Sequence, residues 1–197
     1  MRNAKIEQTS LTIFDIDDTL FHTTAKVAVV NGNKVVRKLT NQEFNTYALK
    51  AGEAFDFAEF RSASKFYEES TPLVPMMQLA KRSVHRAKQC GKSKVIMVTA
   101  RANFDNKEKF LDTFRKHEFD IDSVRVERAG NINDIASVAH KKAVIIRNCI
   151  RAGQYKKVEF YDDAKGNLDA FLQLQEEFPD VKFDAYLATE NGAHLVS

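Results

Sequence analysis

Short apolar runs that alternate with amphipathic segments constrain this chain more than any other feature of its sequence. Residues 11–15 (LTIFD) form the first run, and residues 95–99, about 124–126, 158–161 and about 181–187 supply four more. Between the later runs the apolar spacing becomes helical. Met77, Ala80, Val84 and Ala87 share one face, and Gly91 stops that helix. Phe110, Leu111 and Phe114 share another, behind an Asp105 and Glu108 pair that reads as a capping box. A third helix covers about 137–151, and a fourth carries Leu168, Phe171, Leu174 and Phe178 before Pro179. Strands joined through helices imply crossover connections, hence the α/β class with a mainly parallel sheet covered on both faces. Ligands of such sheets bind beyond the carboxyl ends of the strands, so chemistry is expected there.

The interval after the first strand differs. Residues 27–30 and 35–36 are valine-rich and flank Asn31-Gly32-Asn33, a hairpin turn signal. Residues of about 41–70 read as helical and are rich in aromatics: Phe44, Tyr47, Phe55, Phe57, Phe60, Phe66 and Tyr67. At such spacing aromatics are more often core than a stacking platform. Pro72 and Pro75 then precede the next helix.

A length of 197 residues favours one domain. The hydrophobic and charged fractions, 44% and 29%, are those of an ordinary soluble globular protein. The net charge of +3, with lysines and arginines scattered, permits an anionic substrate without demanding nucleic acid. No apolar run approaches a membrane span, and MRNAKIEQTS lacks an apolar signal core, so a cytoplasmic protein without a membrane partner is expected. Cys90 and Cys149 have no CxxC or metal spacing and read as reduced thiols.

Three of the expected strands end in polar residues. The first leads into Asp15-Ile16-Asp17-Asp18-Thr19, another into Thr99-Ala100-Arg101, and a third into Asp162-Asp163. An Asp pair after one strand is more often a turn or helix cap. Two acidic clusters, each directly behind a buried run, instead imply at least four carboxylates in one small volume. Such charges repel, and a divalent cation would neutralise them; an all-oxygen donor set favours Mg²⁺. On the helix near 137–151, Lys142 interrupts the stripe of Val138, Ile145 or Ile146, and Cys149, so it must snorkel or find an anion. That helix leads into the strand that ends at Asp162, which places Lys142 near the carboxylates. Lys141 is its equal neighbour in sequence.

In this order the motifs resemble those of the haloacid dehalogenase (HAD) superfamily. Asp15-Ile16-Asp17-Asp18-Thr19 resembles its first motif, Asp-x-Asp-x-Thr; Thr99 resembles the second, Lys142 the third and Asp162-Asp163 the acidic fourth. The matches span residues 11 to about 169. The resemblance implies a Rossmann-like three-layer α/β/α sandwich, one domain over 1–197, with a small hairpin and helical cap insert within about 21–93. It implies a Mg²⁺-dependent phosphomonoester hydrolase in which Asp15 attacks phosphorus to form an aspartyl-phosphate and Asp17 acts as general acid, then base. Asp15, the backbone carbonyl of Asp17, Asp162 and Asp163 would hold the metal, and Thr99 and Lys142 would hold the phosphoryl oxygens. Position 18 is Asp, where many members have Gly. Arg101 is placed either to reach substrate phosphate or to form a surface salt bridge, and Asp169 reads as helix surface.

The Thr-Ala-Arg form of the second motif and the short insert are similar to those of polynucleotide 3′-phosphatase domains and small nucleotidases. They imply a small phosphorylated substrate, a nucleotide or a nucleic-acid 3′-phosphate end. A non-catalytic Mg²⁺- and phosphate-binding or protein-interaction module on the same fold is the competing expectation. Gly91-Lys92-Ser93 imitates a P-loop, but position 86 is Arg and the tripeptide precedes a strand rather than following one. A dehalogenase would dispense with the acidic fourth motif.

Overall fold

A computed structural model describes residues 9–44, 46–133 and 136–196 of the chain. The residues whose lack of an apolar core spoke against a signal segment lie mostly in 1–8, outside the described residues. The chain opens with strand β1 (Ser10–Phe14), then β2 (Phe21–His22), β3 (Val27–Asn31), β4 (Lys34–Leu39), helix α1 (Asn41–Phe44), β5 (Glu53–Asp56), α2 (Ala58–Arg61), α3 (Ala63–Glu69) and β6 (Thr71–Pro72). The remainder alternates: α4 (Val74–Cys90), β7 (Lys94–Thr99), α5 (Lys107–Arg115), β8 (Arg125–Arg128), α6 (Val138–Ala152), β9 (Lys157–Asp162), α7 (Lys165–Leu172), β10 (Lys182–Thr189) and β11 (Gly192–Leu195).

Six strands form the central sheet in the order β11-β10-β9-β1-β7-β8. Every pairing is parallel except β10 with β11. The chain therefore builds outward from β1 through β7 to β8, then crosses back to β9 on the other side of β1. That reversal makes the carboxyl ends of β1 and β9 the natural ligand crevice of the sheet. Register aligns them: Phe14 lies level with Tyr161 and with Met97, and the Asp15 amide donates to the Tyr161 carbonyl at 2.9 Å.

Alternation along the strands feeds two apolar clusters, one per face. Leu11 and Ile13 of β1 join Val158 and Phe160 of β9 against Ala143, Ile146, Leu168 and Phe171 of α6 and α7. Phe14, Met97 and Tyr161 point the other way, to Met77, Ala80, Phe110 and Phe114 of α4 and α5. Helix α4 opens with Pro in its first turn and closes on Gly91 at φ 69°, the left-handed cap that glycine adopts without penalty.

The insert between β1 and β7 departs from the expectation. The hairpin forms, with Asn31 opposite Lys34 around Gly32 at φ 58°. Residues 41–70, expected to be helical, break into three short helices and strand β5, which pairs antiparallel with β3 and makes a separate three-stranded sheet, β4-β3-β5. The aromatics there are spaced for a small core of their own: Phe44, Tyr47, Phe55 and Phe60 pack on Val27, Val29 and Leu39. Two further corrections are local. Asn106, not Asp105, caps α5, accepting from the Lys109 amide at 3.0 Å; Asp105 instead accepts from the Ala63 amide at 2.9 Å. Strand β11 follows a turn at Glu190-Asn191, and no apolar run announced it. No helix among the described residues is long and apolar enough to cross a membrane. Neither Cys90 nor Cys149 takes part in a disulfide among the described residues.

Candidate active site

The carboxyl ends of β1, β7 and β9, with the first turns of α6 and α7, enclose a cavity of about 340 Å³, closed on its far side by the insert. Its polar floor includes Asp15, Asp17, Arg101, Lys142 and Asp163; Val27, Phe44, Phe57 and Phe60 form an apolar wall.

Lys142 organises the floor. Ser137 caps α6 by accepting from the His140 amide at 3.2 Å, and Lys142 lies on the buried face one turn later, 1% exposed. Its ammonium stands 2.9 Å from Asp15 Oδ1 and donates to Asp162 Oδ2 at 2.8 Å. Asp162 is held from its other oxygen by the Ala164 amide at 2.9 Å and the Asn167 side-chain amide at 2.8 Å. Lys141, its neighbour, lines the cavity without an ion-pair partner among the described residues.

One ammonium does not neutralise this floor. Burial pushes the Asp15 carboxyl well above its ordinary value; Lys142 opposes that shift, while the charges of Asp162, Asp163 and Asp17 add to it. Loss of hydration and then the charge of Asp162 push Asp163, at the open side of the cavity, up to about 7. Burial alone would lower the Lys142 ammonium, but Asp15 and Asp162 together hold it above its ordinary value. Asp15 Oδ1 is buried and finds no hydrogen bond of good geometry even beside Lys142. Oxygens of Asp15, Asp162 and Asp163 lie within 4.8 Å of one another. Converging hard oxygen donors with a deficit of positive charge are what a Mg²⁺-sized cation requires, so these residues fit a metal of that class.

The loop after β1 turns sharply: the Leu20 and Phe21 amides both donate to the Ile16 carbonyl, and the Asp18 amide donates to Phe21. Asp18 sits at φ 53° in the left-handed region, which is why glycine is at home in this position of the motif. Its carboxylate accepts from Asn41 of the insert at 3.0 Å and faces His22 at 3.3 Å. Thr19 is fully buried, its hydroxyl unpaired.

Asp17 does not join the three-carboxylate cluster. Its carboxylate accepts a fork from Arg101, Nε at 2.8 Å and a terminal nitrogen at 2.6 Å, and a bond from the Thr23 hydroxyl at 2.8 Å. Arg101 is 3% exposed. Its remaining terminal nitrogen donates to the Phe60 carbonyl at 2.8 Å, and its guanidinium lies 4.9 to 5.2 Å from the ring centres of Phe60, Phe66 and Phe104. Arg101 is therefore not in a surface salt bridge: it is buried in the cavity floor, and its hydrogen bonds go to Asp17 and the insert. Sequence spacing carried no signal of this, because two of its partners, Phe60 and Phe66, lie in a segment read only as helical. Thr99 is buried, with its hydroxyl accepting from the Arg101 amide at 3.2 Å, so it braces the turn after β7. Asp169 is exposed on α7.

Gly130 was not singled out by the sequence. It follows β8, and a Cβ there would stand 2.6 Å from the Ala100 carbonyl oxygen and the Ala102 amide. Only glycine lets this turn lie against the Thr99–Arg101 segment and close the cavity wall.

No protein-family model matches the chain, and no curated protein matches it. Among solved structures, the HAD domain of the effector protein Lem4 from Legionella pneumophila superposes with a TM-score of 0.53, covering 92% of this chain and 87% of that one at 13% sequence identity. An identity that low speaks to the fold and not to the chemistry: the chain has a HAD-like fold.

Proposed function

We propose that the protein is a Mg²⁺-dependent phosphomonoester hydrolase that works through an aspartyl-phosphate on Asp15. The observation that carries this reading is the triangle of Lys142, Asp15 and Asp162, buried at the sheet's switch point with Asp163 beside it. A buried carboxylate that faces a cavity and is held by a lysine can approach a phosphate dianion, because the ammonium offsets part of the repulsion. Asp15, Asp162 and Asp163, with the Asp17 backbone carbonyl, would hold Mg²⁺, which supplies charge neutralisation and orientation of the phosphoryl group.

In the first step an Asp15 oxygen bonds to phosphorus while the bond to the leaving oxygen breaks, and Asp17 gives that oxygen its proton. In the second, water attacks phosphorus, Asp17 takes the water's proton, and the bond to Asp15 breaks. Ester and water become alcohol and inorganic phosphate, and the enzyme is regenerated. Arg101 and Thr23 fix the Asp17 carboxylate for both transfers. Thr99 and Lys142 would bind phosphoryl oxygens, and the insert acts as a cap over a small phosphorylated substrate or nucleic-acid end.

The same fork is the observation on the side of a non-catalytic phosphate-binding module, since Arg101 occupies the carboxylate that would meet the leaving group. Phosphate release from a panel of nucleoside monophosphates, sugar phosphates and a 3′-phosphorylated oligonucleotide separates the two. Release that needs Mg²⁺, stops with EDTA and vanishes in Asp15→Asn is the expected result. No release from any compound by folded protein supports the binding module.

A further inference from the structure

Two cations in the cavity are left over once the proposed chemistry is assigned. Arg61, at the end of α2 in the insert, and Lys141, in the first turns of α6, both line the cavity, and neither has an ion-pair partner among the described residues. The other cations there are committed: Lys142 to Asp15 and Asp162, Arg101 to Asp17. Arg61 and Lys141 come from separate elements, one from the insert and one from the helix behind the sheet, yet line one cavity. Beside Arg61 stands the apolar wall. Phe57 is 39% exposed, a large ring with open surface, and Phe44 packs edge-on against it at 5.5 Å. A volume of about 340 Å³ is at the small end of ligand pockets. It suits one small molecule or one terminal residue of a polymer, not an extended chain.

We infer that the leaving group of the substrate carries both an aromatic face and a second anion, so that the rings of Phe44 and Phe57 receive the one while Arg61 and Lys141 receive the other. A nucleoside with a phosphate at each of two positions has this chemistry, whether free or as the phosphorylated end of a strand. The inference rests on the phosphatase reading and adds to it a substrate class. Stacking a base on an exposed ring and pairing a phosphate with guanidinium or ammonium should each give selectivity of roughly tenfold or more.

The test is a four-compound comparison of kcat/KM in Mg²⁺: adenosine 3′,5′-bisphosphate (both features), adenosine 3′-monophosphate (ring only), fructose 1,6-bisphosphate (second anion only) and glycerol 3-phosphate (neither). A 3′-phosphorylated oligonucleotide distinguishes a strand end from a free nucleotide as the source. The expected result is at least tenfold preference for the compound with both features over each of the others. In Arg61→Gln and Lys141→Gln, confirmed folded by circular dichroism, the ratio of bisphosphate to monophosphate should fall about tenfold. Equal turnover of all four compounds, or an unchanged ratio in both variants, overturns the inference and leaves the phosphatase reading standing. If nothing turns over, that reading fails, and equilibrium binding to the wild-type protein decides the inference: adenosine 3′,5′-bisphosphate binding tenfold tighter than the other three supports it, and equal binding overturns it.

Discussion

Lys142 is the residue on which both stability and chemistry depend, because it is fully buried between two carboxylates. Replacing it with Met keeps the volume but leaves Asp15 and Asp162 without their cation. Breaking a buried charge network in this way costs about 3–5 kcal/mol, so urea unfolding of Lys142→Met should show a large drop in midpoint; a change within error would mean that the ammonium does not support the fold. Lys142 was legible in the sequence because a lysine in an apolar stripe must find an anion. The identity of its partners followed from strand ends that carry carboxylates. Arg101 was not legible: a side chain two residues past a strand can turn toward solvent, phosphate or a neighbouring loop. Its direction is set by Asp17 and by Phe60 and Phe66, two rings of a segment that the sequence reads only as helical.

At the level of elements, the strands of the alternating part were legible to within a residue or two, since a strand buried on both faces is a continuous apolar run; the last helix, expected to reach Pro179, instead ends at Leu172 and passes into a 3-10 turn over Gln173–Glu177. The insert was misread where β5 lies. Glu53–Asp56 is four residues long, alternates exposed and half-buried positions, and owes its state to pairing with β3, which no local propensity announces. Gly130 is the element-level feature with the sharpest consequence. Gly130→Ala must push the Thr99–Arg101 turn or its own away by several tenths of an ångström, for a cost of about 1–3 kcal/mol as in other overpacked sites. Because that turn carries Arg101 and hence Asp17, the variant should lose kcat even at temperatures where it is folded. Full kcat together with wild-type stability would show that the turn yields freely.

For the whole molecule, the acidic floor links metal, protons and stability. Between the ordinary aspartate value of 3.8 and about 7, the metal-free folded protein keeps protons on Asp163 that the unfolded chain releases, and Asp15 is shifted in the same direction. Stability of the metal-free protein therefore falls as pH rises through that window. Mg²⁺ competes with those protons, so saturating Mg²⁺ should raise Tm by about 5 °C at pH 8 and by clearly less at pH 5.5. A gain that is the same at both values would mean that these carboxylates do not bind the ion. The central claim, that Asp15 carries the phosphoryl group, is open to a direct measurement. In Asp17→Asn, 4-nitrophenyl phosphate should still phosphorylate the enzyme, because its leaving group needs no proton, while hydrolysis of the acyl phosphate lacks its base. Acid-quenched protein analysed by peptide mass spectrometry should then show a phosphoryl adduct on Asp15 in Mg²⁺ and none with EDTA. Turnover of the wild-type enzyme with no such adduct in Asp17→Asn, or an adduct on another residue, would contradict the account.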